Sequence, residues 1–148
     1  TRAQRMQIVL DLALKDEDAA AKNLSKCRDQ IKQEEEQLMQ LRSYSDQYLQ
    51  EQGAKKPVVS PDQLINYSGF IQRLNHLCVE QQQKITRLEG LAANALKAWQ
   101  MAYQKRKSIE ELIARFIRED ALADDKRQQK EMDELASLRS QYNNHPDQ

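Results

Sequence analysis

The chain has few of the residues that bend or break a helix. Its 148 residues include three glycines and three prolines, and aromatic residues make up 5%. A layered globular domain needs more turns and more apolar bulk than this, so such a fold is excluded. Charge of one sign is also missing, because Lys+Arg and Asp+Glu number 23 each and are interspersed. No basic stripe is present to neutralise phosphates, and nucleic acid is not an expected partner. No apolar run approaches the length of a membrane span, so direct membrane insertion is not expected, and no secretory leader is expected ahead of the first helix. The two cysteines, Cys27 and Cys78, read as reduced core residues. His76 has no second His or Cys at ligand spacing and His145 falls in a tail, so no metal site is expected. Phosphate-binding glycine loops, nucleophile elbows and zinc signatures are absent too. General acid–base chemistry needs a pocket to perturb its groups, so the sequence reads as a non-enzyme without a cofactor.

What remains is periodicity. One heptad run reads Leu10, Ala13, Glu17, Ala20, Leu24, Cys27, Ile31, Glu34, Leu38, Leu41, Ser45, Tyr48. A second reads Leu64, Tyr67, Ile71, Leu74, Cys78, Gln81, Ile85, Leu88, Ala92, Ala95, Trp99, Ala102, Arg106, Ile109, Ile113, Phe116. Steps of three and four residues repeated every seven place each run along a narrow helical seam. The fold expected is all-α: a long antiparallel two-helix coiled coil closed as a hairpin, a single domain over 1–148. Helix one covers about 2–51 and the turn 52–60. Helix two covers about 61–117, with a helical or partly disordered extension over 118–148.

Gly53 is placed to stop helix one, and Ser60-Pro61-Asp62-Gln63 carries the signals that start helix two. Ser60 can cap, Pro61 suits the first helical position, and Gln63 can close a capping box. A turn centred near Lys56 pairs Tyr48 with Leu64, Leu41 with Ile71, Leu38 with Leu74, and Leu10 with Ala102. It sets Glu34 by Cys78 and Gln81 by Ile31, a polar layer able to fix register. A further one-heptad slip would bring Cys27 opposite Cys78. Residues 64–116 of such a helix would extend roughly 80 Å at ~1.5 Å per residue.

Two places carry more apolar surface than a two-stranded seam consumes. Near the turn, the stripes Gln37-Leu41-Tyr44-Tyr48 and Phe70-Leu74-Leu77-Gln81 share one spacing, and Leu49 and Ile65 add to them. Clustered exposed groups of this kind mark docking surfaces. At the other end, the pairing above exhausts helix one opposite residue 110. Ile109, Leu112, Ile113, Phe116 and Ile117 would then lack intramolecular cover and form an overhang expected to insert into another protein, where the basic Lys105, Arg106 and Lys107 would meet an acidic ring or collar.

The order of these features resembles the flagellar FliJ family. The resemblance rests on Leu10-Asp11-Leu12-Ala13 with Asp18-Ala19-Ala20-Ala21, on Ile65-Asn66-Tyr67 leading to Phe70-Ile71-Gln72, on Lys97-Ala98-Trp99 before Lys105-Arg106-Lys107, and on Lys130-Glu131-Met132-Asp133-Glu134-Leu135-Ala136. It implies a hairpin similar to the stalk subunit of rotary ATPases, in the cytoplasm at the inner face of the membrane. It further implies binding to the hexameric export ATPase with the helix termini entering the ring, contact with the cytoplasmic domain of the export-gate membrane protein, and escort of export chaperones. The implied gate contacts fall on Gln37, Leu41, Tyr44, Tyr48, Phe70, Leu74 and Leu77. A histidine expected next in that stripe is Gln81 here. Two alternatives are a stalk of a virulence type III secretion system and a general coiled-coil chaperone or adaptor.

Overall fold

Two helices account for the architecture. In the computed structural model, which describes residues 1–54 and 60–144, α1 spans Arg2–Ala54 and α2 spans Pro61–Asn143. Among the described residues there is no strand, and the helices pack against each other as an antiparallel coiled coil.

Both helix starts are capped by side chains. Ser60 Oγ accepts the backbone N–H of Gln63, and Gln63 Oε1 accepts the backbone N–H of Ser60, each at 3.2 Å. This is the reciprocal box expected from the sequence, satisfying two N–H groups that a helix start leaves without partners. At the start of α1 the Thr1 hydroxyl accepts the Gln4 N–H at 3.2 Å. α1 runs past the expected end at Glu51 and includes Gly53. The turn expected at 52–60 falls largely on residues 55–59, which lie outside the described residues, as do His145 and Pro146. α2 does not stop near Ile117. Its charged stretch is rich in Ala, Lys, Arg, Gln and Glu, all good helix formers, and local pairs such as Arg127 with Asp124 at 2.8 Å add support.

Contacts divide the chain into two compact units, Glu17–Ala102 and Thr1–Asp16 with Tyr103–Gln148. In the Glu17–Ala102 unit the seam positions of both helices are buried or half-buried from Glu17 to Tyr48 and from Tyr67 to Ala102. Ile85 is the most enclosed side chain at 2% exposure, and the single tryptophan, Trp99, is half-buried. Leu64, expected in the seam, is 58% exposed. The reason is register. Glu34 meets Gln81 and Lys84 rather than Cys78, and Tyr48 meets Tyr67 and Phe70 rather than Leu64. Each α1 residue therefore faces α2 several residues later than a turn centred at Lys56 implies, and Leu64 lies beyond the reach of Tyr48. Cys27 and Cys78 are free and half-buried. The residue opposite Cys27 falls about ten positions past Cys78, or ~15 Å along the helix.

In the other unit, Leu10 and Ala13 on α1, with Arg106, Ile109, Ile113 and Phe116 on α2, are buried or half-buried. The Arg2 guanidinium lies 4.3 Å from the Phe116 ring centre and pairs with Glu119 at 3.3 Å and Asp120 at 2.9 Å. The hydrogen bond to Asp120 raises its pKa further above the ordinary arginine value. From Ala121 to Asn144 every residue is exposed.

Candidate functional site

The surplus apolar surface of the Glu17–Ala102 unit is organised around one aromatic cluster. Tyr48 stacks on Tyr67, with ring centres 5.4 Å apart and planes 18° from parallel. It also packs against Phe70 at 4.3 Å. Tyr44 meets Phe70 edge to face at 6.2 Å. Offset and edge-to-face contacts of this kind contribute about 0.5–1.5 kcal/mol each beyond area burial. α1 supplies Tyr44 on the seam's flank and Tyr48 in the seam, one helical turn apart. α2 supplies Tyr67 in the seam and Phe70 on the matching flank. Ser45, buried at the foot of the cluster, is small enough to leave room for the rings.

The seven residues singled out near the turn divide by exposure. Tyr44 is 54% exposed, and Gln37 and Leu77 are exposed beside it. Leu41, Tyr48 and Phe70 are half-buried, each presenting one edge. Leu74 is 5% exposed and belongs to the seam, so it offers no surface and supports the others from beneath. Leu49, Ile65 and the misplaced Leu64 widen the exposed apolar area. Met39, also exposed, lines a shallow groove with Gln40, Ser43, Tyr44 and Gln47 on the outer side of α1. Its heptad position is an outward one, the signal that could have marked it in the sequence.

A polar layer sits in the same unit. Glu34 is buried at 8% exposure, yet each of its carboxylate oxygens has a partner. The Gln81 side-chain amide donates to the Glu34 backbone carbonyl at 3.0 Å and to its carboxylate. The Lys84 ammonium lies 3.0 Å from the other carboxylate oxygen. Hydrogen bonding from Gln81, then from Lys84, holds the Glu34 carboxyl below the ordinary glutamate range against the opposing effect of burial.

In the other unit the five apolar residues expected to lack cover have it in part. Ile109 is buried; Leu112, Ile113 and Phe116 are half-buried; of the five only Ile117 is exposed, at 56%. Of the basic trio, Lys105 and Lys107 are exposed, whereas Arg106 lies 5.0 Å over the Tyr103 ring and pairs with Glu110 at 3.0 Å. The expectation of an overhang beginning near residue 110 is corrected by Arg2, which reaches Glu119 and Asp120. Cover on α2 in this unit therefore extends as far as Asp120, past the expected residue 110. The uncovered helix begins at Ala121, and it presents Leu122, Met132, Leu135, Leu138 and Tyr142, the last 82% exposed. The amphipathic spacing of the last four was visible in the sequence; that they lack any partner was not.

Among the described residues no helix is long and apolar enough to cross a membrane, and no group of three or more His, Cys, Asp and Glu is placed to hold a metal ion.

Capped helices on a narrow seam, with apolar surface left over at defined places, define a coiled-coil interaction protein. The family profile described as "Flagellar FliJ protein" matches residues 2–145. The chain is 30% identical over 132 residues to the flagellar FliJ protein of Salmonella typhi, covering 88% of this chain and 90% of that one. It is likewise 30% identical over 127 residues to the flagellar FliJ protein of Escherichia coli K12, covering 85% and 86%. The chain belongs to the flagellar FliJ family, components of the flagellar export apparatus. No solved structure matches it.

Proposed function

We propose that this chain is the non-enzymatic stalk of the flagellar type III export apparatus. In this reading it binds the hexameric export ATPase, promotes its activity and links it to the cytoplasmic domain of the export gate, while escorting export chaperones. Its place is the cytoplasm, peripherally at the inner face of the membrane. ATP chemistry belongs to the ring, and this chain contributes contacts that differ between ring states, the minimum that coupling requires.

The observation that carries the reading is that exposed apolar side chains gather in two places apart from the group Ile8, Val9, Leu12 and Leu14 on α1. One is the edge of the aromatic cluster, where Gln37, Tyr44, Phe70 and Leu77 form the gate-facing surface with Leu41 and Tyr48 behind them. The other is the uncovered part of α2, where Leu122, Met132, Leu135, Leu138 and Tyr142 form the ring-facing surface. Ile117, Lys105 and Lys107 flank it, and Ile109, Leu112, Ile113, Phe116 and Arg106 hold its base.

The deciding experiment measures ATP hydrolysis by the cognate ring with and without this chain. Stimulation by the full chain, lost when residues 121–148 are removed, is the expected result. Equal hydrolysis in both conditions would leave a general coiled-coil adaptor as the better reading.

A further inference from the structure

A seam that repeats every seven residues is ambiguous by construction. Sliding one helix by a heptad returns apolar positions to apolar positions, so the hydrophobic pattern alone does not select one pairing. Glu34 breaks the ambiguity. Its partners across the seam are Gln81 and Lys84. Seven residues before them stand Leu74 and Leu77, and seven residues after them stand Leu88 and Leu91. A slip in either direction therefore confronts a buried carboxylate with a pair of leucines and leaves it without a donor, a heavily penalised arrangement.

We propose that Glu34, Gln81 and Lys84 form a register lock, which holds α1 and α2 of the Glu17–Ala102 unit in the one pairing that assembles the Tyr44–Tyr48–Tyr67–Phe70 cluster. The contact pattern suits that task. Gln81 binds both the backbone carbonyl and the carboxylate of Glu34, so it fixes the position of the α1 backbone as well as the side chain. The cluster depends on the same pairing. Tyr48 faces Tyr67 and Phe70; a heptad slip one way replaces them with Ser60 and Gln63, and the other way with Leu74 and Leu77. Lys84 is half exposed, so its pair with Glu34 is a weak source of net stability, and the best-attested use of polar groups set in a seam is to specify register. The lock goes beyond the proposed docking role, because it holds whatever the cluster binds.

Disulfide trapping in the full chain tests it, with Cys27→Ala and Cys78→Ala as background. One heptad from the Tyr44–Phe70 contact on each helix stand Gln37 and Leu77, so Gln37→Cys with Leu77→Cys reports the observed pairing. Gln30→Cys with Leu77→Cys reports the pairing slipped by one heptad. With Glu34 and Gln81 intact, only the first pair closes within the chain. With Glu34→Leu and Gln81→Leu, the slipped product rises about tenfold while the melting temperature holds or increases. A doubly substituted chain that still closes only the first pair would overturn the proposal, since the apolar seam would then define register unaided. Should that variant lose helicity, Glu34→Leu alone, which leaves the Gln81 amide free to turn toward water, is read by the same two outcomes.

Discussion

The Glu17–Ala102 unit and the last two dozen described residues of the chain are built from similar helix-forming sequence, yet they are held in opposite ways. In the first, every seam position from Glu17 to Tyr48 finds cover, and even the carboxylate at Glu34 has a donor on each oxygen. In the second, from Ala121 to Asn144, apolar and charged residues alike face water. Helix alone therefore does not distinguish a folded element from a waiting one. The difference is whether an apolar face has a neighbour, since tertiary packing supplies most helical stability in proteins.

The comparison breaks most severely on truncation. Removing residues 121–148 is expected to abolish ATPase stimulation while leaving the melting temperature of the remainder nearly unchanged, because no described residue there is buried. A large fall in melting temperature would mean that this stretch is covered after all. Ile85→Ala probes the opposite extreme. At 2% exposure its loss should cost about 2–5 kcal/mol, enough to unfold much of a marginal two-stranded seam, as thermal circular dichroism would record. Tyr44→Ala with Phe70→Ala should weaken gate binding by ten- to a hundredfold, at about 1.4 kcal/mol per factor of ten, with helicity kept. Unchanged affinity in a titration would remove the cluster's edge as the docking surface.

Acid sharpens the polar side of the contrast. Glu34 binds its proton less readily in the folded chain than in the unfolded one. Its contribution is complete above the ordinary glutamate pKa of ~4.3, and it is lost as pH falls from there through the lower folded value. Melting curves between pH 5 and pH 3 (on the order of one glutamate titration) should therefore fall more steeply for the native chain than for Glu34→Gln. The smallest effect expected is a gain. A Cβ at Gly90 would meet nothing within 4 Å, so Gly90→Ala should stabilise the free helix by up to ~1 kcal/mol. A loss of partner binding in the same variant would show that something approaches the backbone there.

Much of this was legible in the sequence, for physical reasons that also explain what was not. Burial in a coiled coil depends on spacing alone, so the heptads identified the seam, and only Leu64 fell outside it. Capping is local chemistry, so Ser60 and Gln63 announced the start of α2. Register is neither local nor fixed by period. The register adopted shows where Gln81 and Lys84 meet Glu34. The misplacements of Leu64 and of the polar layer are one error in register seen at two points. Leu74 shows the remaining ambiguity, since its spacing suits a patch and a seam equally and only its neighbours decide.

The half-buried indole of Trp99 gives the chain its own optical gauge. No second tryptophan contributes to emission, so its colour reports how dry that one level of the helix pair is. A ligand that pries the strands apart there would redden the glow, and one that clasps them would turn it bluer, without any dye or label being attached.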